Sequence, residues 1–123
     1  MVGASQYATG MMRLISARVD DTPVFDRRGR KLGTLYSLHI ERHSGKVEYA
    51  VISFGGLLGL GQSYHPIPFG LLQVNQDKGG YTIAVDKTVL DGGPSYRPDT
   101  APQWDNGYAH RIDNYYADLQ LGD

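Results

Sequence analysis

The 123-residue chain contains no cysteine, so disulfides, thiolate metal sites and cysteine nucleophiles are excluded at once. It also lacks a surplus of either charge. Twelve Lys and Arg against thirteen Asp and Glu give a formal net charge of −1. A surface built throughout for nucleic acid or for an anionic membrane needs a stronger positive balance. Long apolar runs are missing too. The most apolar stretch, Ala50 to Gly61, is interrupted by four glycines and a serine, whereas a spanning helix takes about 20 apolar residues. The opening residues have no apolar core of signal-peptide type. These absences lead to the expectation of a cytoplasmic protein without membrane insertion, forming one domain. A chain of this length buries roughly two-thirds of the surface its unfolded form exposes, enough for a core without staples.

What is present is β-pattern and turn chemistry. Residues 1–12 are small, polar and aperiodic, and read as a flexible leader. Pro23-Val24-Phe25 is β-prone, and Asp26-Arg27-Arg28-Gly29 supplies a turn. Lys31 to Arg42 then alternates, with Tyr36, Leu38 and Ile40 on one face and Ser37, His39 and Glu41 on the other, the pattern of a half-buried strand. A turn at His43-Ser44-Gly45-Lys46 joins it to Val47–Phe54, which is apolar on both faces and is therefore expected to be central and covered on each side. Gly55 to Gly61 is a connection. Tyr64 to Phe69 reads as a strand placed at an edge or kink by its prolines. Leu71–Val74 and Tyr81–Val85 form a last hairpin, and Asp86 is positioned to cap a helical turn through Leu90. Short strands at this spacing indicate a mainly β fold, a small antiparallel barrel. The domain is expected over residues 13–91. Residues 92–123 follow as an extended arm ending in a helix that begins at Asp105 or Asn106.

No residue set spells out a reaction. The glycine loop lacks both the Gly-Lys-Ser/Thr ending and the Gly-x-Gly-x-x-Gly spacing of phosphate loops, and reads as a corner. Its leucines, Leu57, Leu58 and Leu60, are a candidate docking patch if exposed. The histidines are expected on the solvated surface; His39 and Glu41 share a strand side, but no third metal ligand has a persuasive spacing. No nucleophile–base set is apparent, and no metal, cofactor or catalytic residue is assigned. Arg27, Arg28, Arg30 and Lys31 crowd one turn and are candidate RNA contacts, although no exposed aromatics are interleaved for stacking. Five of the chain's nine tyrosines and single tryptophan lie in the arm and terminal helix. Tyr96, Trp104, Tyr108, Ile112, Tyr115, Tyr116 and Leu119 are therefore candidate contacts, either on the domain itself or across a homodimer.

Four runs in order carry a resemblance: Asp26-x-x-Gly29-x-Lys31-x-Gly33, Val47-x-Tyr49-Ala50-Val51, Phe54-Gly55-Gly56-x-Leu58-Gly59-x-Gly61 and Pro66-x-Pro68-Phe69. Together they resemble the PRC-barrel family over about Leu14 to Leu90, and the ending resembles the tails of its stand-alone bacterial members. The family includes the cytoplasmic domain of the photosynthetic reaction-centre H subunit and the second domain of the ribosome maturation factor RimM. The resemblance implies a PRC-type β-barrel that docks on other macromolecules and has no catalytic residues. The expected role is a non-enzymatic interaction module, a homodimer with a further protein partner. The alternatives are an RNA- or ribosome-associated maturation factor and an accessory protein of photosynthetic electron-transfer complexes.

Overall fold

In a computed structural model describing residues 14–55 and 61–118, the runs flanking Gly45 form the hairpin that their alternation predicts. Gly45 takes a φ of 74°, and the Glu41 carboxylate accepts the N–H groups of His43 and Ser44 at 3.1 and 2.8 Å. The strands are β1 (Leu14–Phe25), β2 (Lys31–Glu41), β3 (Val47–Phe54), β4 (Ser63–Pro68), β5 (Leu72–Asn75) and β6 (Gly80–Ile83), with helices α1 (Lys87–Gly92) and α2 (Asn106–Ala117). The leader expected over residues 1–12 lies outside the described residues, as do Leu57, Leu58, Leu60 and Leu119. Among the described residues no helix is long and apolar enough to cross a membrane.

The strands form one six-stranded sheet in the order β4-β3-β2-β1-β6-β5. It departs from the expected antiparallel barrel in two ways. β6 runs parallel to β1, pairing through Val24–Tyr81 and Phe25–Thr82, so the sheet is mixed. It also does not close, because β4 and β5 remain its two edges. The mixed direction follows from the link between those edges, a 3₁₀ turn over Phe69–Leu71. Five inter-strand spacings would separate the edges of a flat sheet by about 24 Å, but the few residues from Pro68 to Leu72 span at most about 14 Å. The sheet must therefore curl until its ends approach. The turn carries the chain onward without reversing it, so β5 runs in the same sense as β4, and the hairpin that follows returns β6 alongside β1 in parallel.

β3 is buried from Tyr49 to Phe54, as its two-faced apolarity predicts. One side, with Ala50 and Ile52, faces the concave interior, where Val24, Leu35, Ile67, Ile83 and Leu90 are also buried. The other side, with Tyr49 and Val51, is covered by the arm and α2. β2 carries an irregularity. Both of its ladders shift register around Tyr36, and such a bulge re-aims side chains. Leu38 pairs with Ala50 on the interior side, and Ser37 and His39 pair with Val51 and Tyr49 on the other, as the alternation predicts. Yet Ser37 and His39 are buried because the arm covers their face, while Tyr36, Leu38 and Ile40 are half-buried.

Gly33 shows how closely β2 and β3 approach. A methyl group there would lie 2.2 Å from the Ser53 carbonyl oxygen and 2.6 Å from the Phe54 ring, whereas Gly45 has open space around it. Gly33→Ala is expected to cost about 3 kcal/mol or more through overpacking, against about 1 kcal/mol for Gly45→Ala through its left-handed backbone. Urea unfolding midpoints check this; equal losses would refute the close-approach account.

Candidate functional site

The arm and α2 use their aromatics within the chain. Tyr96 exchanges backbone hydrogen bonds with Tyr64 on β4, at 2.8 and 3.0 Å. Trp104 then lies flat on His39, ring centroids 3.7 Å apart, and against Tyr49 and Tyr108. The Asp105 carboxylate caps α2 by accepting the Tyr108 N–H at 2.9 Å, so the helix starts where the sequence places it. Ile112 and Tyr116 are buried, Tyr49 donates its hydroxyl to Asp113 at 2.8 Å, and Tyr115 donates to the Val89 carbonyl at 2.6 Å. Thus Tyr96, Trp104, Tyr108, Ile112, Tyr115 and Tyr116 all pack within the chain, Tyr115 against α1.

Two histidines expected at the surface are inside. His39 and His65 are 5% and 4% exposed; His43 and His110 are exposed. Burial beneath Trp104 pushes His39 down to about 4, so the ring is neutral near pH 7. Glu41, its suggested metal partner, spends its carboxylate on its own turn. Among the described residues no cluster of three His, Asp or Glu is placed to hold a metal. His65 is lowered by burial and fixed at both nitrogens. Its Nδ1 meets the Leu90 carbonyl at 3.1 Å, so Nδ1–H donates and Nε2 is left to accept from Ser63 Oγ at 3.0 Å. The Ser–His contact, which the sequence reading missed, lies within β4, and the bond to the Leu90 carbonyl ties that strand to α1. Ser63 lines neither of the two clefts below.

The basic turn is organised by Asp26. Its carboxylate accepts the N–H groups of Arg28 and Arg30 and the Arg30 guanidinium, each at 2.9 Å. These bonds, the Arg30 backbone N–H foremost, hold its carboxyl below the ordinary value. Arg27 reaches Asp86 at 3.4 Å. Asp86 occupies the N-cap position of α1, but its side chain makes no capping bond, which departs from the expected cap. Two of the four candidate RNA contacts are thereby paired. Arg28 and Lys31 have no ion pair among the described residues. An open cleft of about 600 Å³ is lined by Arg27, Arg28, Arg30, Lys31 and Lys87.

A second cleft, of about 610 Å³, adjoins the Tyr36 bulge. Pairing there shifts from Arg18–Ser37 to Thr22–Leu35 on the β1 side and from Ser37–Val51 to Leu35–Ile52 on the β3 side. The Tyr36 carbonyl is instead met by Arg18, whose Nε donates to it at 3.0 Å. The Arg18 guanidinium lies 3.8 Å above the Tyr36 ring, and Tyr64 packs 4.3 Å from the same ring. Lys31, Gly33, Gly55 and Gln62 complete the walls. Neither Arg18 nor Tyr36 stands out in a one-dimensional reading, because only the bulge brings them together.

Two tests address this buried polar layer. Trp104→Ala is expected to lower stability by about 3 kcal/mol, read from urea midpoints; a loss below 1 kcal/mol, roughly a surface effect, would mean the arm is not part of the core. For His39 the sign follows from its depressed value. The unfolded ring binds a proton near 6.5 and the folded ring only near 4, so between these the unfolded state holds more protons. Stability is complete above about pH 6.5 and falls as the pH drops towards 4. His39→Phe keeps the stack and should flatten that acid limb in part, His65 contributing the remainder. Identical stability–pH slopes in wild type and variant would refute the assignment.

Comparison with known proteins agrees with this architecture. No curated protein matches the chain. The profile of the PRC-barrel domain matches residues 15–90, a span that contains all six strands but β1's first residue, together with the bulge and α1 up to Leu90. The curled sheet with its basic turn and short link between edges thus has a family: the chain belongs to the PRC-barrel domain proteins.

Proposed function

We propose that this chain is a non-enzymatic interaction module of the cytoplasm that self-associates and recruits a further macromolecule. The observation that carries this reading is the outer edge of β1. β6 covers only Val24 and Phe25 of that strand, so among the described residues the edge from Leu14 to Val19 pairs with no neighbour. Ile15 there is 47% exposed. A bare strand edge is a template for pairing with another chain. An antiparallel pair of identical strands is related by a two-fold axis, which makes a second copy the simplest occupant. The tail aromatics, packed within the chain, leave this role to β1.

RNA binding at the basic turn is the second reading, favoured by the unpaired Arg28 and Lys31. Against it, the Phe25 ring is already approached by Lys78 at 5.2 Å, which leaves no evident stacking platform beside the turn. Loss of salt-dependent RNA binding in Arg28→Glu with Lys31→Glu would support that reading instead.

A lysine at Ile15 blunts the edge in the manner natural sheets use. Ile15→Lys is expected to weaken self-association at least tenfold, measured by light scattering over a concentration series, with an unfolding midpoint that is unchanged at concentrations where both proteins are monomeric. A wild-type protein that stays monomeric at high micromolar concentration would overturn the dimer, and an unaffected dimer in the variant would move the interface elsewhere.

A further inference from the structure

We propose that the cleft beside the Tyr36 bulge binds an acidic, extended peptide segment, with Arg18 and Lys31 gripping its carboxylates. The inference rests on the interaction-module reading and names the partner chemistry of a surface distinct from the β1 edge. Strand pairing at that edge uses main-chain groups, whereas this cleft is built by side chains standing off the sheet.

The first argument is the state of Arg18. Its Nε is spent on the Tyr36 carbonyl and its plane rests on the Tyr36 ring. Two contacts fix the guanidinium, so little conformational entropy remains to be lost on binding. The two terminal nitrogens have no carboxylate partner among the described side chains, which do not include those of residues 20 and 21. A planar fork held in this way matches a carboxylate bidentately.

The second argument concerns continuity of charge. Lys31 and Leu32 line both clefts, so the Arg18 cleft opens towards the turn that carries Arg28. Arg18, Lys31 and Arg28, none of them in an ion pair among the described side chains, thus line two adjoining clefts, the second of which also holds Asp26 and Asp86. In an extended peptide, side chains on one face recur about every 6.6 Å, so one segment presents several carboxylates to these cations.

The third argument separates peptide from nucleic acid. Recognition of single-stranded RNA places bases on open aromatic faces. Tyr36 has two faces, and groups lying 3.8 and 4.3 Å from its centroid occupy one each. Tyr64 is itself buried. The aromatics here stiffen the cleft and offer no platform to a base.

The test is an NMR titration of the ¹⁵N-labelled full chain with a capped glutamate decapeptide at low salt. The amides of Gly33, Thr34, Gly55 and Gln62 are expected to shift saturably. Arg18→Gln and Lys31→Gln should each weaken binding at least fivefold, Arg18→Lys should restore less than half of the loss, and Lys46→Gln, at a distant turn, should change nothing. Well-dispersed spectra of the variants establish that they fold, and Lys31→Gln serves alone if Arg18→Gln does not. The proposal is overturned if the peptide shifts none of these amides, if Arg18→Gln and Lys31→Gln bind like wild type, if inorganic phosphate alone reproduces the shifts at equal affinity, or if a uridylate decamer binds the cleft more tightly than the peptide. Self-association is read separately at Ile15, so failure of the titration leaves the dimer measurement standing, and the converse.

Discussion

The link between β4 and β5 constrains everything else in this fold. Three residues of 3₁₀ turn join the two outermost strands of a six-stranded sheet, and a chain so short can do this only if the sheet curls. Curling creates the concave interior in which Ile52, Ile67, Ile83 and Leu90 lose all contact with water. It also brings the end of β1 against β6 in parallel, which leaves the first half of β1 bare on its outer side. The buried core and the open edge are therefore two results of one connection.

A curled sheet has a convex side as well, and that side has to be covered where it is apolar. The arm and α2 provide the cover. Their contact layer is unusual because it is polar at its centre: His39 lies under Trp104, Ser37 is buried, and Tyr49 donates to Asp113. Burying such groups costs least when each is hydrogen-bonded, and being neutral avoids the much larger cost of burying a charge. The low value of His39 and the direct hydrogen bond of Tyr49 are how this layer limits that cost. The Tyr108 and Tyr116 hydroxyls lack a hydrogen-bond partner among the described residues, and burial raises both, which keeps them protonated. The domain is thus complete only with residues beyond the family span of 15–90.

Much of this was legible in the sequence, and the misses share one cause. Strand positions, the Gly45 turn, the two-sided burial of β3 and the start of α2 follow from local periodicity, turn residues and capping, which a linear reading captures. The faces of β2 follow its alternation, but their exposure does not, because the distant arm covers the side of Ser37 and His39. The bulge at Tyr36 adds a residue to the count, and no residue type announces it. The buried histidines were missed for a related reason, since the cover over His39 comes from Trp104, far along the chain. The parallel pairing of β6 was hidden because strand direction after Phe69 depends on whether a turn reverses the chain, which composition does not specify. The Arg18 cleft needed all of these non-local facts at once.

Net charge misleads in the same way, and this bears on the candidate site. A total of −1 describes a protein with no electrostatic preference, but the carboxylates and the cations are not spent alike. Asp26 is consumed in building its turn, Glu41 in the β2–β3 hairpin, Asp105 in capping α2 and Asp113 on Tyr49. Arg28 and Lys31 have no ion pair among the described side chains, and Arg18 is held by a carbonyl and a ring, neither of which neutralises its charge. Carboxylates tied into the fold at separate places leave a local positive potential wherever unpaired cations gather, and local potential, more than total charge, steers a partner. That local potential is therefore a matter of position: Asp26 and Asp86 keep their charge inside the cleft of the turn, whereas the described lining of the cleft where Arg18 lies on Tyr36 holds Arg18 and Lys31 and no carboxylate.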